Sequence, residues 1–162
     1  MVHLRSLLLA LVSAPIVAGC AATDPKSPHY EIDTARYAVT ASAIPINRRY
    51  HELTTEQRAI ISSWYEHIAL GDEPPFPADG LQPIHDAIGQ AQAKALVKGE
   101  MLLLATVNAA GDVEEIKMYR SPSKSMTTFV SGVLMLTKFK PALCGGRPCR
   151  MEYPFTFTFS VQ

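Results

Sequence analysis

Net charge, long apolar runs and catalytic signatures are all scarce in this chain of 162 residues. Fifteen basic side chains balance fifteen acidic ones, which argues against nucleic acid, whose binding calls for a basic surface field. The longest apolar run, Ser6–Ala18, falls short of the roughly 20 residues that a bilayer-spanning helix takes. No Gly-x-Ser-x-Gly and no phosphate loop appears. His51-Glu52 begins like a zinc-protease helix, but Thr55 stands where the second His would be. His67 and His85 lack a Cys or Asp partner at ligand spacing, so no metal or other cofactor is expected. The chain is therefore not read as an enzyme; a hydrolase or inhibitor built on its helical half ranks third among the readings below.

Cysteine is scarce too, and its three positions are informative. Cys20 closes the apolar run, after Val17-Ala18-Gly19. A short start carrying His3 and Arg5, then the apolar stretch, then small residues and Cys, resembles a bacterial lipoprotein signal. The resemblance implies cleavage before Cys20 and a lipid on its thiol; an ordinary secretory leader with an incidental Cys is the alternative. Removing that leader takes away one arginine and no acid, so nothing suggests electrostatic attachment to a membrane. Ala21-Ala22 follows with no Asp directly after the Cys, which by similarity to enterobacterial sorting favours the outer membrane, facing the periplasm.

Cys144 and Cys149 bracket Gly145-Gly146-Arg147-Pro148. In an exported domain this spacing suits a disulfide clip across a tight turn. A metal site or a redox motif is the alternative, but no His lies nearby and the spacing is not Cys-x-x-Cys.

The chain divides into a leader (1–19), a tether and irregular segment (20–52), a helical segment (53–98) and a sheet unit (99–162). Residues 21–28 are small and polar with two prolines, as a tether would be. Residues 29–50 have no clean period, and Arg48-Arg49-Tyr50-His51 reads as a solvated surface turn. Thr54 with Gln57 forms a capping-box pattern, predicting a helix over 55–70 that carries Ile60, Ile61, Trp64, Tyr65 and Ile68 on one face and stops at Gly71. Trp64 reads as packing. Asp72–Gly80 is proline-rich and excluded from helix. A second helix is predicted over 83–97, with Gly99 ending it.

The sheet unit is the most strongly patterned part. Residues 100–108 are almost continuously apolar, the mark of a strand buried by neighbours. A turn at Ala109-Ala110-Gly111-Asp112 returns a more polar strand over 113–120. Met126, Phe129, Val130, Val133 and Leu134 then repeat at helical spacing. From Met151 to Val161 every odd position is apolar and every even one polar or Pro, a strand with one buried face. The expected class is α+β. A three-stranded antiparallel sheet, in the order second-first-third, is covered by one helix and preceded by two others. The third strand is then an edge. Pro154 should turn its missing N–H toward the open side. Glu152, Tyr153, Pro154, Thr156, Thr158 and Ser160 are the expected partner-binding edge.

From Ala93 to Val161 the chain resembles a TonB C-terminal-like domain. The matching residues are Gly99, Gly111-Asp112-Val113, Arg120-Ser121, Phe139-Lys140-Pro141-Ala142, Gly146-Arg147-Pro148 and Pro154-Phe155-x-Phe157. The resemblance implies a strand-strand-helix-strand fold that adds an extended segment of an outer-membrane protein to the edge of its last strand. The spanning helix and long Pro-rich spacer of a TonB energy transducer have no counterpart here, so energy transduction does not carry over. Two readings follow. In the first, a lipid-anchored module binds a periplasmic or outer-membrane protein or peptide at that edge, with a link to outer-membrane transport as a further expectation. In the second, a structural or assembly factor of the envelope has its sheet edge covered by its own N-terminal helices.

Overall fold

The computed structural model describes residues 30–161. The expected leader, Cys20 and the tether over 21–28 lie outside those residues. The class is α+β, with four α-helices and antiparallel sheets among the described residues.

The last strand, β7 (Met151–Phe159), obeys its period. Met151, Tyr153, Phe155, Phe157 and Phe159 are all buried on one face. It pairs antiparallel with β2 (Gly99–Val107), which pairs antiparallel with β3 (Val113–Arg120), in the spatial order β3-β2-β7. Leu103 lies opposite Phe155 and Ala105 opposite Tyr153 on the core face. Leu104 lies opposite Pro154 and Thr106 opposite Glu152 on the other. That other face is laced with ion pairs: Lys117 to Glu152 at 2.6 Å, Arg120 to Glu100 at 2.5 Å, and Arg150 to Glu114 and Glu115. One face of the sheet is therefore a core wall, and the other a charged lattice.

Helix α4 (Lys124–Leu136) starts at Ser123, whose hydroxyl accepts the Met126 N–H. It buries Met126, Val130 and Leu134, and packs beside β3 and against α3 (Gln82–Ala95). The aromatic strand shares its core with α4 and with more than the single helix expected. Its rings meet residues from the N-terminal half and from the stretch after α4. Trp64, Phe76 and Phe139 stand within about 6 Å of the Tyr153 ring, and His85 stands 5.7 Å from Phe157. Buried residues from Tyr37 to Phe159 form one cluster, so the helical segment and the sheet unit share a core.

The N-terminal half departs most from expectation. A helix, α1 (Thr34–Thr40), occupies the stretch with no period, and Asp33 caps it by accepting the Arg36 N–H. Helix α2 (Thr55–Ser62) has the expected Thr54–Gln57 capping box but stops eight residues early. Beyond it the backbone has other partners: the Trp64 carbonyl accepts the Asp33 N–H, and the Glu66 N–H donates to Glu31. His67, at φ 59°, then turns the chain away from helix. Helix α3 ends at Ala95, capped by Leu96, itself left-handed at φ 50°, rather than running to Val97. Two very small sheets were not expected: β1 (Phe76–Pro77) with β4 (Phe139–Lys140), and β5 (Ala142–Cys144) with β6 (Arg147–Cys149).

Candidate functional site

The outer edge of β7 was the expected partner-binding surface, and its geometry begins with proline. Pro154 lies opposite Leu104 and has no N–H to give the ladder. Even-numbered residues of β7 therefore turn their backbone groups away from β2. On an open edge these groups would face water or another strand. Here they are met by side chains of the same chain.

Tyr65 donates its hydroxyl to the Glu152 carbonyl at 2.8 Å, and the Thr156 N–H donates to the Tyr37 hydroxyl at 3.1 Å. Farther along, Gln92 on α3 donates to the Ser160 carbonyl at 3.3 Å. Caps fall on Glu152, Thr156 and Ser160, with Pro154 needing none for its nitrogen. Thr158 is the outward position without such a cap among the described residues, and it is exposed. Beside it a pocket of about 280 Å³ opens between α1 and β7, lined by Tyr37, Trp64, His85 and Phe157.

The six expected edge residues therefore split. Thr158 and Ser160 are exposed. Glu152 is tied on both sides, its carboxylate to Lys117 and its carbonyl to Tyr65. Tyr153 corrects the expectation: its side chain is 1% exposed and belongs to the core, not to a docking face. Pro154 is also buried. The edge is not bare between Glu152 and Thr156, because two tyrosines occupy it. Cys144 and Cys149 form a disulfide with their Cα atoms 5.8 Å apart. It closes the β5–β6 hairpin, whose turn puts Gly145 and Gly146 at φ 56° and 77°. Asp72 ties this hairpin to the start of the described chain, accepting the Gly145 N–H and the Tyr30 hydroxyl.

Tyr37, Tyr65 and Gln92 were missed as edge caps. A cap made by one hydroxyl or one amide leaves no period; only the presence of tyrosine in an otherwise unpatterned stretch could have hinted at it. Trp64 is packing, as expected, but what it packs is the cap. Its ring stands edge-on to Tyr37 at 4.7 Å, and its indole N–H donates to the Thr40 hydroxyl at 2.9 Å.

Burial pushes the Tyr37, Tyr65 and Tyr153 hydroxyls well above the ordinary tyrosine range. A folded-state pKa above the unfolded one gives stability that is present below the unfolded value and lost as pH rises past it. The denaturation midpoint should hold from about pH 7 to about pH 9 and fall above about pH 10. Phenolate absorbance should account for these tyrosines only as near-ultraviolet dichroism is lost. Ionisation of all six tyrosines in a still-folded chain would refute this.

No group of three or more His, Cys, Asp or Glu placed to hold a metal ion occurs among the described residues. No helix among them is long and apolar enough to cross a membrane. No family model and no curated protein matches the chain.

Proposed function

We propose that this chain is a lipid-anchored protein of the bacterial envelope that acts as a structural or assembly factor, its sheet edge kept covered by its own N-terminal segment. The observation that supports this most is the pair of tyrosine hydroxyls on the β7 edge, Tyr65 on Glu152 and Tyr37 on Thr156. An incoming strand needs those backbone groups and the space beside them. The order strand-strand-helix-strand agrees with the TonB C-terminal-like resemblance, whose fold carries over more readily than its mode of binding. The lipobox-like Val17-Ala18-Gly19-Cys20 supports the anchor.

A second reading keeps strand addition but moves it along the edge. Thr158 is exposed and adjoins the pocket beside α1. There a short extended peptide could pair with the strand and place one apolar side chain in the pocket.

Cross-linking capture from intact cells tests both, with the full chain and two variants, Thr156→Pro and Thr158→Pro. Each removes an outward N–H without touching the β2 ladder. On the first reading the wild type captures envelope partners and both variants capture them equally. Loss of capture with Thr158→Pro alone favours the second. Loss with Thr156→Pro, in a chain whose dichroism is unchanged, overturns the covered-edge reading. Lipid labelling that is absent from Cys20→Ala and present in the wild type supports the anchor, and equal labelling of both defeats it.

A further inference from the structure

The turn Arg48-Arg49-Tyr50-His51, expected to be a solvated surface feature, is not simply that. Tyr50 is 7% exposed, and its ring packs against Phe76 at 5.9 Å. Two cations flank that ring, the Lys140 ammonium at 4.4 Å and the Arg58 guanidinium at 5.9 Å from its centre. Around them lies a recess of about 380 Å³ to which Arg49 and His51 also contribute. Basic groups therefore converge on one recess from three separate parts of the chain: the Tyr50 turn, α2 and β4.

Acidic groups do not balance them. Glu73, the acid lining the recess, is taken by Lys140 at 2.9 Å. Lys140 spends its remaining donors on the Pro74 and Pro141 carbonyls. The Arg49 guanidinium pairs with Asp79 in an exposed pair of the weak surface kind, and its backbone N–H donates to the Glu52 carboxylate at 2.7 Å. Arg58, which shares the Tyr50 ring with Lys140, has no carboxylate within ion-pair distance among the described residues. Arg58 is thus the cation of the recess that no carboxylate neutralises among the described residues.

We propose that this recess is an anion site that takes a phosphate group, held by Arg58 and Arg49 with His51 at the rim. Donors arriving from different directions suit a tetrahedral oxyanion with several acceptor oxygens, and guanidinium is the side chain best shaped for it. The phosphate can come from a free phosphate compound or from a lipid headgroup. The second source has a geometric argument. Tyr30, where the described chain begins, bonds Asp72, the neighbour of Glu73 in the recess. Nine residues, 21–29, separate Tyr30 from Cys20, a reach of at most about 36 Å when extended. This part of the inference rests on the lipid anchor proposed above; the phosphate site does not.

Calorimetric titration of the full chain with inorganic phosphate tests the site. Saturable binding is expected, about tenfold weaker in Arg49→Gln/Arg58→Gln. It should be unchanged in Lys94→Gln/Lys98→Gln, which loses the same charge elsewhere. Should the first double variant lose its native dichroism, Arg58→Gln alone replaces it. No saturation in the wild type, or equal weakening in both double variants, overturns the site. Flotation with phosphatidylglycerol and phosphatidylcholine vesicles then separates the sources. A phosphatidylglycerol preference that Arg49→Gln/Arg58→Gln abolishes assigns the headgroup, and an unchanged preference assigns a soluble phosphate. Missing lipid on Cys20 would defeat the anchor and leave the titration standing.

Discussion

Trp64→Ala should lower stability by about 3–5 kcal/mol, a large share of the roughly 5–15 kcal/mol that holds a typical domain, and should free the β7 edge at the same time. The side chain is 1% exposed and stands between the cap and the sheet, with Tyr37 on one side and Tyr153 on the other. Its indole bonds Thr40 at the end of α1, while its carbonyl accepts the Asp33 N–H at the start of that helix. One residue thus holds α1 at both ends and supports the ring whose hydroxyl meets Thr156. Truncation leaves a large cavity under α1, and the helix, at seven residues, is too short to persist without packing. Urea denaturation gives the loss of stability, and amide exchange at Thr156 gives the state of the edge. The Thr156 amide should exchange much faster relative to the β2 amides than it does in the wild type. Tyr37→Phe offers the comparison: it keeps the ring and removes only the acceptor, costing about 1–3 kcal/mol. If Trp64→Ala destabilises the chain while the Thr156 amide stays protected, α1 is held by something else and the cap does not depend on this indole.

How far this edge could be foreseen depends on the range over which a residue's role repeats. The β7 strand and α4 were legible because each buries side chains at a fixed interval over nine or more residues. The local cap was legible for a related reason: Thr54 with Gln57 acts over three residues of sequence. The apolar stripe from Ile60 to Ile68 misled, since it suits a helix but is used otherwise. Ile61 is buried from α2, whereas Trp64 and Tyr65 are buried from a stretch whose N–H groups reach only three residues back, to Ile61 and Ser62, while the Trp64 carbonyl and the Glu66 N–H bond Asp33 and Glu31. Tertiary pairing overrode propensity there. The caps on β7 connect residues 87 and 119 positions apart, and nothing local announces them. The recess around Tyr50 is hidden in the same way. Arg49, Arg58 and Lys140 are unremarkable singly and come together only when β1 pairs with β4.

The β2–β3 turn shows the same dependence on distant contact, and Gly111→Ala should expose it with a loss of about 3 kcal/mol or more. Gly-Asp-Val at this turn was one of the patterns behind the TonB-like resemblance, and a hairpin alone would account for a glycine at φ 82°. The larger reason lies outside the hairpin. A Cβ on residue 111 would sit 2.1 Å from the Phe139 carbonyl oxygen, and backbone cannot swing aside as a side chain can. The Phe139 N–H also donates to the Gly111 carbonyl at 2.9 Å, and Lys138 pairs with Asp112. The turn is therefore docked on the strand that pairs with β1, and separating them loosens the β1–β4 sheet and the Lys140 side of the Tyr50 recess with it. Gly71→Ala separates the two contributions. Its φ is 90°, yet nothing lies within 4 Å of its would-be Cβ, so it should lose only the left-handed penalty of about 1–2 kcal/mol. Thermal or urea denaturation of the two variants decides the matter: equal losses would mean that conformation alone requires Gly111, whereas a clearly larger loss at Gly111 places the requirement in its close approach to Phe139.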